Sequence, residues 1–187
     1  MNIFITLDYE LFFGGNSGTL ENCIIKPTKA LCAILDKYGV KASFFVDSGY
    51  LLKLEELKNK FPAINKQYTD LVEQIKWLHK NGHDIQLHIH PHWQDTNYQN
   101  GKWFSNTSRY KLHDFSESEI NNIVRSYKGI LNRIIEDNVF AYRAGGWCIQ
   151  PFSKIENAFR KNNIWLDSTV FQNGVNTTEK ESFDFVM

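Results

Sequence analysis

The chain has 187 residues, of which 42% are hydrophobic and 22% are charged, and this is enough for one domain with a buried core. Lysine plus arginine equals aspartate plus glutamate at 21 each, so the formal net charge is zero. A surface that follows nucleic acid phosphates needs an excess of basic residues. The charge balance therefore argues against nucleic acid as a partner.

Cysteine usage and the N-terminal segment bear on the cellular compartment. Cys23, Cys32 and Cys148 are widely spaced and include no C-x-x-C pair, which argues against a disulfide framework and a thiolate zinc site. Residues 1–8 lack the basic region of a signal peptide, and no apolar run approaches the length of a membrane span. These features predict a cytoplasmic protein without a membrane segment.

Short apolar runs alternate along the chain with longer segments of helical periodicity. In chain order the pattern predicts a strand at 3–7, a helix from 27 to the glycine at 39, a strand at 41–46, helices at 51–60 and 68–79, a strand at 84–87, a polar loop at 93–115, a helix at 116–135, a strand at 139–142, a helix at 151–161 and a strand at 164–166. This alternation predicts an α/β fold with a parallel sheet, formed by 1–187 as a single domain. The strand lengths leave an open sheet and a barrel as alternatives.

Polar residues fall directly after several of the predicted strands. They are Asp8, Glu10, His88, Arg143 and Asp167. The carboxyl ends of parallel strands meet at one edge of a sheet or barrel, and binding sites form at that edge. We therefore expect these side chains to lie near one another.

Three histidines alternate at the end of the third predicted strand, His88, His90 and His92. This density of imidazoles indicates a metal site. His88 and His92 would lie roughly 13 Å apart in an extended chain, so they share an ion only if the chain bends at Pro91. His88 and His90 form the competing pair, and the spacing alone leaves both pairs open.

Two carboxylates and one guanidinium complete the candidate chemistry. Asp8 and Glu10 project to the same side of an extended chain, so one could be a third metal ligand while the other takes a proton from water. Arg143 could hold the acidic base in place by pairing with its carboxylate. Gly145 and Gly146 allow the backbone to approach a ligand closely.

These segments together resemble the polysaccharide deacetylase family, carbohydrate esterase family 4. Residues 82–93 (GHDIQLHIHPHW) are similar to its motif G-H-E-I-x-x-H-[ST]-x-x-H-P, and residues 6–10 (TLDYE) to its T-F-D-D-G motif. Residues 42–46 (ASFFV) match its A-T-F-F-V strand, and residues 142–146 (YRAGG) stand where the family has R-P-P-Y-G or R-A-G. Residues 163–171 (NIWLDSTVF) resemble a segment of the branch associated with surface polysaccharides.

The resemblance implies a distorted (β/α) barrel and a metal-dependent hydrolase that removes N-acetyl or O-acetyl groups from a sugar or polysaccharide. It implies that Glu10, His88 and His92 bind a divalent metal, most simply zinc, that Asp8 is the catalytic base, and that Arg143 orients Asp8. Residues expected to contact the acetylated sugar are Trp93, Gly145, Trp147 and Asp167. Two alternatives are a related domain that binds metal or glycan without efficient catalysis, and an amidohydrolase or phosphoesterase that uses His88 and His90.

Departures from the family pattern add further expectations. Tyr9 stands where the common motif has its ligand aspartate, which assigns that role to Glu10 or to Asp8. The family's general acid is a histidine near the end of the barrel, whereas the last histidine of this chain is His113, so His90 and His113 are the local substitutes. About five strands are too few for a closed barrel. We therefore expect an incomplete barrel, either truncated or covered at its open edge by a second subunit.

Overall fold

A computed structural model describes residues 2–12, 18–178 and 182–186. Within these residues, strands form a central parallel sheet and two antiparallel hairpins. The strands are β1 (Ile5–Tyr9), β2 (Ala42–Asp47), β3 (Asp84–Ile89), β4 (Asn97–Gln99), β5 (Lys102–Phe104), β6 (Ala141–Ala144), β7 (Leu166–Asp167), β8 (Val175–Thr177) and β9 (Ser182–Asp184). The central sheet has the order β1-β2-β3-β6-β7, and it does not close into a barrel within the described residues. The predicted incomplete parallel architecture of about five strands is therefore confirmed.

Helices connect the parallel strands and cover the sheet. They are α1 (Lys26–Lys37), α2 (Ser48–Leu57), α3 (Pro62–Lys80), α4 (Glu117–Ile135) and α5 (Glu156–Lys161), and a single π-helical turn, Glu21–Ile25, precedes α1. The prediction for α3 was wrong at its start, because this helix begins at Pro62 and not at residue 68. Proline is well tolerated at a first helical position, where no intrahelical N–H bond is required.

Helix α4 shows how the local sequence sets the boundaries of an element. The Ser116 hydroxyl accepts a hydrogen bond from the backbone N–H of Glu119, and the Glu119 carboxylate accepts one from the backbone N–H of Ser116. This capping box satisfies two N–H groups at the helix start. An apolar stripe that includes Ile123, Tyr127 and Ile130 is buried against the rest of the domain, as its spacing predicts.

The predicted loop at 93–115 contains regular structure that the sequence pattern did not indicate. Hairpin β4–β5 follows a 3₁₀ turn at Pro91–Asp95, and Trp103 from β5 packs edge-on against Trp93 and Tyr50. Tyr98 from β4 also contacts Trp103, with ring centroids 4.8 Å apart. This aromatic cluster covers the turn that follows β3, next to the candidate site.

Candidate active site

The strand ends bring the candidate residues to one edge of the sheet. Asp47 of β2, His88 of β3 and Arg143 of β6 are neighbours across the three strands in the pairing register. Asp8 of β1 lies two rows earlier, opposite Phe45. The expected clustering at the carboxyl ends of parallel strands is therefore present.

A carboxylate and two imidazoles form the compact centre of this edge. Glu10 Oε2 lies 3.1 Å from His88 Nε2 and 2.6 Å from His90 Nε2. In the described part of the chain, Glu10, His88 and His90 are the group whose possible ligand atoms all lie within 4.8 Å of one another. Ligands of a tetrahedral zinc ion lie roughly 3.3 Å apart, so these separations are comparable with those around one small cation.

The hydrogen bonding of His88 indicates what this group can hold. Its Nδ1 lies 2.9 Å from the backbone carbonyl of Arg143, and because a carbonyl only accepts, Nδ1 is the protonated nitrogen. In the neutral ring the Nε2 lone pair therefore faces the Glu10 carboxylate, an arrangement that requires a proton or a metal cation between them. Metal-binding histidines commonly use their second nitrogen in this way, so the donor set fits a divalent metal.

The pKa values inside the Glu10–His88–His90 group follow from the same contacts. Burial by itself would raise the pKa of Glu10, but hydrogen bonds with His88 and His90 outweigh it and lower that pKa to about 2. Burial would lower the pKa of His88, but the hydrogen bond with Glu10 and the nearby charges of Glu10, Asp8 and Asp47 together outweigh burial and raise that pKa. Without metal, the carboxylate is thus stabilised as the anion and a shared proton is favoured between Glu10 and His88.

His92 occupies a different position from the one implied by the family motif. It lies in the 3₁₀ turn Pro91–Asp95, outside the Glu10–His88–His90 group, with its ring centroid 5.6 Å from that of His90. Strand alternation puts His88 and His90 on the same side, whereas Pro91 starts the turn that carries His92 away. The structure thus brings together the histidine pair that the spacing had left as the alternative, and metal binding by His92 remains a prediction.

Arg143 forms the ion pair that the sequence predicted. Its Nη1 lies 2.8 Å from Asp8 Oδ1, and its Nη2 donates to the Thr6 and Ser168 hydroxyls, both at 2.8 Å. The guanidinium also lies over the Phe45 ring, 4.2 Å from its centroid. These contacts fix one Asp8 oxygen, while the Asp8 side chain stays 41% exposed and therefore accessible to water.

The residues expected to contact substrate have different environments. Trp93 is only 3% exposed and donates its indole N–H to Asp47, so little of its surface is accessible to a sugar, and the predicted substrate contact stays a prediction. Trp147 is 46% exposed and has a left-handed backbone, with φ of 55°. Asp167 is at the end of the edge strand β7 and accepts a hydrogen bond from the Thr169 hydroxyl. Of these three side chains, Trp147 and Asp167 lie at the surface.

The two substitutes for the general acid also differ. His90 is within the central group, 2.6 Å from Glu10. His113 donates through Nε2 to the backbone carbonyl of Pro151 at 3.1 Å, so that nitrogen is engaged in joining the loop before α4 to the segment before α5. Only His90 contacts the Glu10–His88 pair.

Gly145 lies directly against the central group, and this close approach leads to a prediction. A Cβ on Gly145 would lie 2.4 Å from His90 Nδ1, closer than real Cβ contacts. We expect Gly145→Ala to displace His90 and to weaken zinc binding by about 10- to 100-fold, as loss of a supporting contact does. Isothermal titration calorimetry with zinc measures this effect.

Gly129→Ala is the matched control for that substitution. Gly129 lies inside α4, and a Cβ there would meet no atom within 4 Å. Alanine should stabilise the helix by about 0.5–1 kcal/mol and leave zinc affinity unchanged. Equal zinc affinity for Gly145→Ala and the wild type would show that the Gly145 backbone does not position His90.

The fold and the site define an α/β protein with carboxylate, imidazole and guanidinium groups at the carboxyl edge of a parallel sheet. The chain belongs to the polysaccharide deacetylase family, whose family model, described as polysaccharide deacetylase, matches residues 19–147. Comparison with curated proteins finds no match. In the described residues, no helix has the length and apolarity needed to cross a membrane.

Solved structures share this fold at low sequence identity. Deacetylase PplD from Streptococcus pyogenes, in complex with acetate, has a TM-score of 0.54 at 15% identity, covering 92% of this chain and 55% of that one. A polysaccharide deacetylase from Mycobacterium smegmatis has a TM-score of 0.53 at 17% identity, with coverages of 89% and 50%. Polysaccharide deacetylase Bc1974 from Bacillus cereus has a TM-score of 0.50 at 15% identity, with coverages of 91% and 60%. The present chain thus spans about half to three fifths of their length.

Proposed function

We propose that this chain is a metal-dependent hydrolase that removes acetyl groups from a carbohydrate. The observation that carries the proposal is the Glu10–His88–His90 group beside the Asp8–Arg143 ion pair, in a chain of the polysaccharide deacetylase family. The set supplies two imidazoles and a carboxylate to a cation, which is the ligand chemistry of catalytic zinc sites. Zinc is accordingly the metal that we propose.

Each side chain has a distinct part in the proposed reaction. A divalent cation held by Glu10, His88 and His90 would supply Lewis acidity, the chemistry that polarises an acyl carbonyl and lowers the pKa of a water molecule. Asp8, which lies outside the Glu10–His88–His90 group, accepts a proton from water, and Arg143 holds its carboxylate in place. Glu10 is engaged by both imidazoles, which favours Glu10 over Asp8 as the ligand.

The substrate side of the proposal rests on the turn after β6. Gly145 brings backbone close to His90, and a backbone N–H in this turn is suited to donate to the oxyanion that forms at the acyl carbon. The exposed Trp147 ring is suited to pack against a sugar, and the Asp167 carboxylate to accept hydrogen bonds from its hydroxyls. His90 is the candidate to protonate the leaving group if it is not a metal ligand.

Metal-dependent release of acetate tests the proposed function. Purified protein should release acetate from chitotetraose, an oligomer of N-acetylglucosamine, or from acetylated xylan after addition of zinc. The release should stop with a chelator and resume when zinc is restored. Zinc binding without acetate release from either substrate would identify a non-catalytic binding domain, and absence of zinc binding would contradict the proposal as a whole.

A further inference from the structure

Asp47 is a buried carboxylate at the edge of the candidate site that the sequence motifs did not single out. It ends β2 and is 2% exposed. Its Oδ1 accepts the backbone N–H of Gly49 at 3.2 Å, and its Oδ2 accepts the indole N–H of Trp93 at 2.6 Å. The first bond caps α2, a role that serine or asparagine fills as well as aspartate.

The negative charge of Asp47 is therefore not explained by helix capping. Placing a carboxylate in the interior is unfavourable, and burial raises the pKa of Asp47 to about 6. The indole N–H and the start of α2 offset only part of that penalty. A neutral residue such as serine or asparagine would cap α2 without the free-energy cost of burying a charge.

The residues around Asp47 indicate what its negative charge contributes to the site. Asp47 and His88 are partners in the parallel register, so their side chains project to the same face of adjacent strands, which lie about 4.8 Å apart. Three carboxylates, those of Asp8, Glu10 and Asp47, belong to the strands that carry or adjoin the histidines, whereas Arg143 supplies a single guanidinium. With neutral imidazoles these four groups carry an excess of two negative charges, which a divalent cation would offset.

Trp93 connects the same carboxylate to the turn that follows the histidine strand. Its indole packs on the start of α2 so closely that a Cβ on Gly49 would lie 2.6 Å from Trp93 Cδ1. The Asp47–Trp93 hydrogen bond thus joins the end of β2 to the turn Pro91–Asp95. That turn begins directly after His90, so Asp47 is linked to the histidines through the chain as well as through its charge.

We propose that Asp47 is a positioning residue of the metal site, whose buried charge strengthens divalent cation binding and whose bond to Trp93 holds the turn after His90. This inference rests on the proposed metal-dependent function. It assigns Asp47 no contact with substrate or metal. A supporting residue of this kind typically changes metal affinity by about 10- to 100-fold.

Two substitutions test this role, both measured as zinc dissociation constants by calorimetry. Asp47→Asn removes the charge and keeps an oxygen for the Gly49 N–H. Asp47→Ser keeps the helix cap and leaves room for water at the indole. Each should weaken zinc binding by about 10- to 100-fold. The chelator-treated variants should still fold, as a cooperative unfolding transition in urea would show.

Asp95→Asn is the matched control, because it removes the same charge from the neighbouring turn. The Asp95 carboxylate faces Arg109, with oxygen and nitrogen 2.6 Å apart, and not the histidines. Zinc affinity of this variant should equal that of the wild type, and an equal loss in Asp95→Asn and Asp47→Asn would overturn the inference.

Further outcomes separate the inference from the proposed function. Unchanged zinc affinity in both Asp47 variants would overturn the inference alone, since the wild type still binds zinc. Failure of both chelator-treated variants to fold would also overturn it, because it would make Asp47 a structural residue. Absence of zinc binding by the wild-type chain would instead defeat the proposed function.

Discussion

Replacing Asp8 with asparagine is expected to reduce zinc-dependent acetate release by about 10²- to 10⁴-fold, the usual contribution of a general base. Asparagine keeps the shape of the side chain and can still accept a hydrogen bond from Arg143, but it cannot take a proton from water. Since Asp8 lies outside the Glu10–His88–His90 group, zinc affinity should change little. Release of acetate from chitotetraose at saturating zinc measures the effect.

Glu10→Gln provides the contrast for this prediction. Glu10 contacts both imidazoles, so its substitution should weaken zinc binding as well as acetate release. If Asp8→Asn lost zinc and Glu10→Gln kept it, the assignments of base and ligand would be reversed. Near wild-type turnover in Asp8→Asn would exclude Asp8 as the base.

Comparison of His90→Ala with His92→Ala should identify the second histidine ligand, with His88→Ala as the common reference. We expect His88→Ala and His90→Ala each to weaken zinc binding by more than about 100-fold, beyond the effect of losing a supporting contact. His92→Ala should retain zinc affinity within about tenfold of the wild type, because His92 supports the neighbouring rings from outside the group. Calorimetric titration of the three variants measures these values.

The opposite ranking has a clear structural meaning. If His92→Ala lost zinc and His90→Ala kept it, the turn Pro91–Asp95 would have to rearrange on metal binding to bring His92 towards Glu10. The ligand set implied by the family motif would then hold. His90 would in that case be available as the proton donor to the leaving group.

The Asp8–Arg143 pair was predictable from sequence, because each residue follows a short apolar run and parallel strand ends converge. Asp8 and Arg143 are 135 positions apart in the sequence, but the ends of parallel strands meet at one edge whatever their separation along the chain. The choice among the histidines was not predictable to the same degree. It depends on whether the extended chain of β3 continues past Ile89 and where the turn begins, and strand ends are the least certain part of a sequence pattern.

The buried charge of Asp47 and the burial of Trp93 also could not be predicted from the sequence pattern. Asp47 follows a predicted strand just as Asp8 does, but the position also suits a helix cap, and a cap gives no hint of a buried charge. Trp93 is buried by a hairpin with strands of three residues, too short for alternation to reveal. Its long-range contact with Asp47 is set by tertiary packing.

Two carboxylates of the site lie at the least protected part of the sheet, Asp8 in β1 and Glu10 directly after it. Within the described residues β1 is an edge strand, whereas His88 is at the end of the central strand β3. Edge elements open locally at lower free energy than the centre of a sheet, and such opening would carry Asp8 and Glu10 away from the histidines together. A ligand that bridges Glu10 and His88 binds only the closed strand, so it raises the free energy of opening by mass action. Amide hydrogen exchange along Ile5–Tyr9 should therefore slow as zinc is added, which makes the edge strand itself a reporter of occupancy.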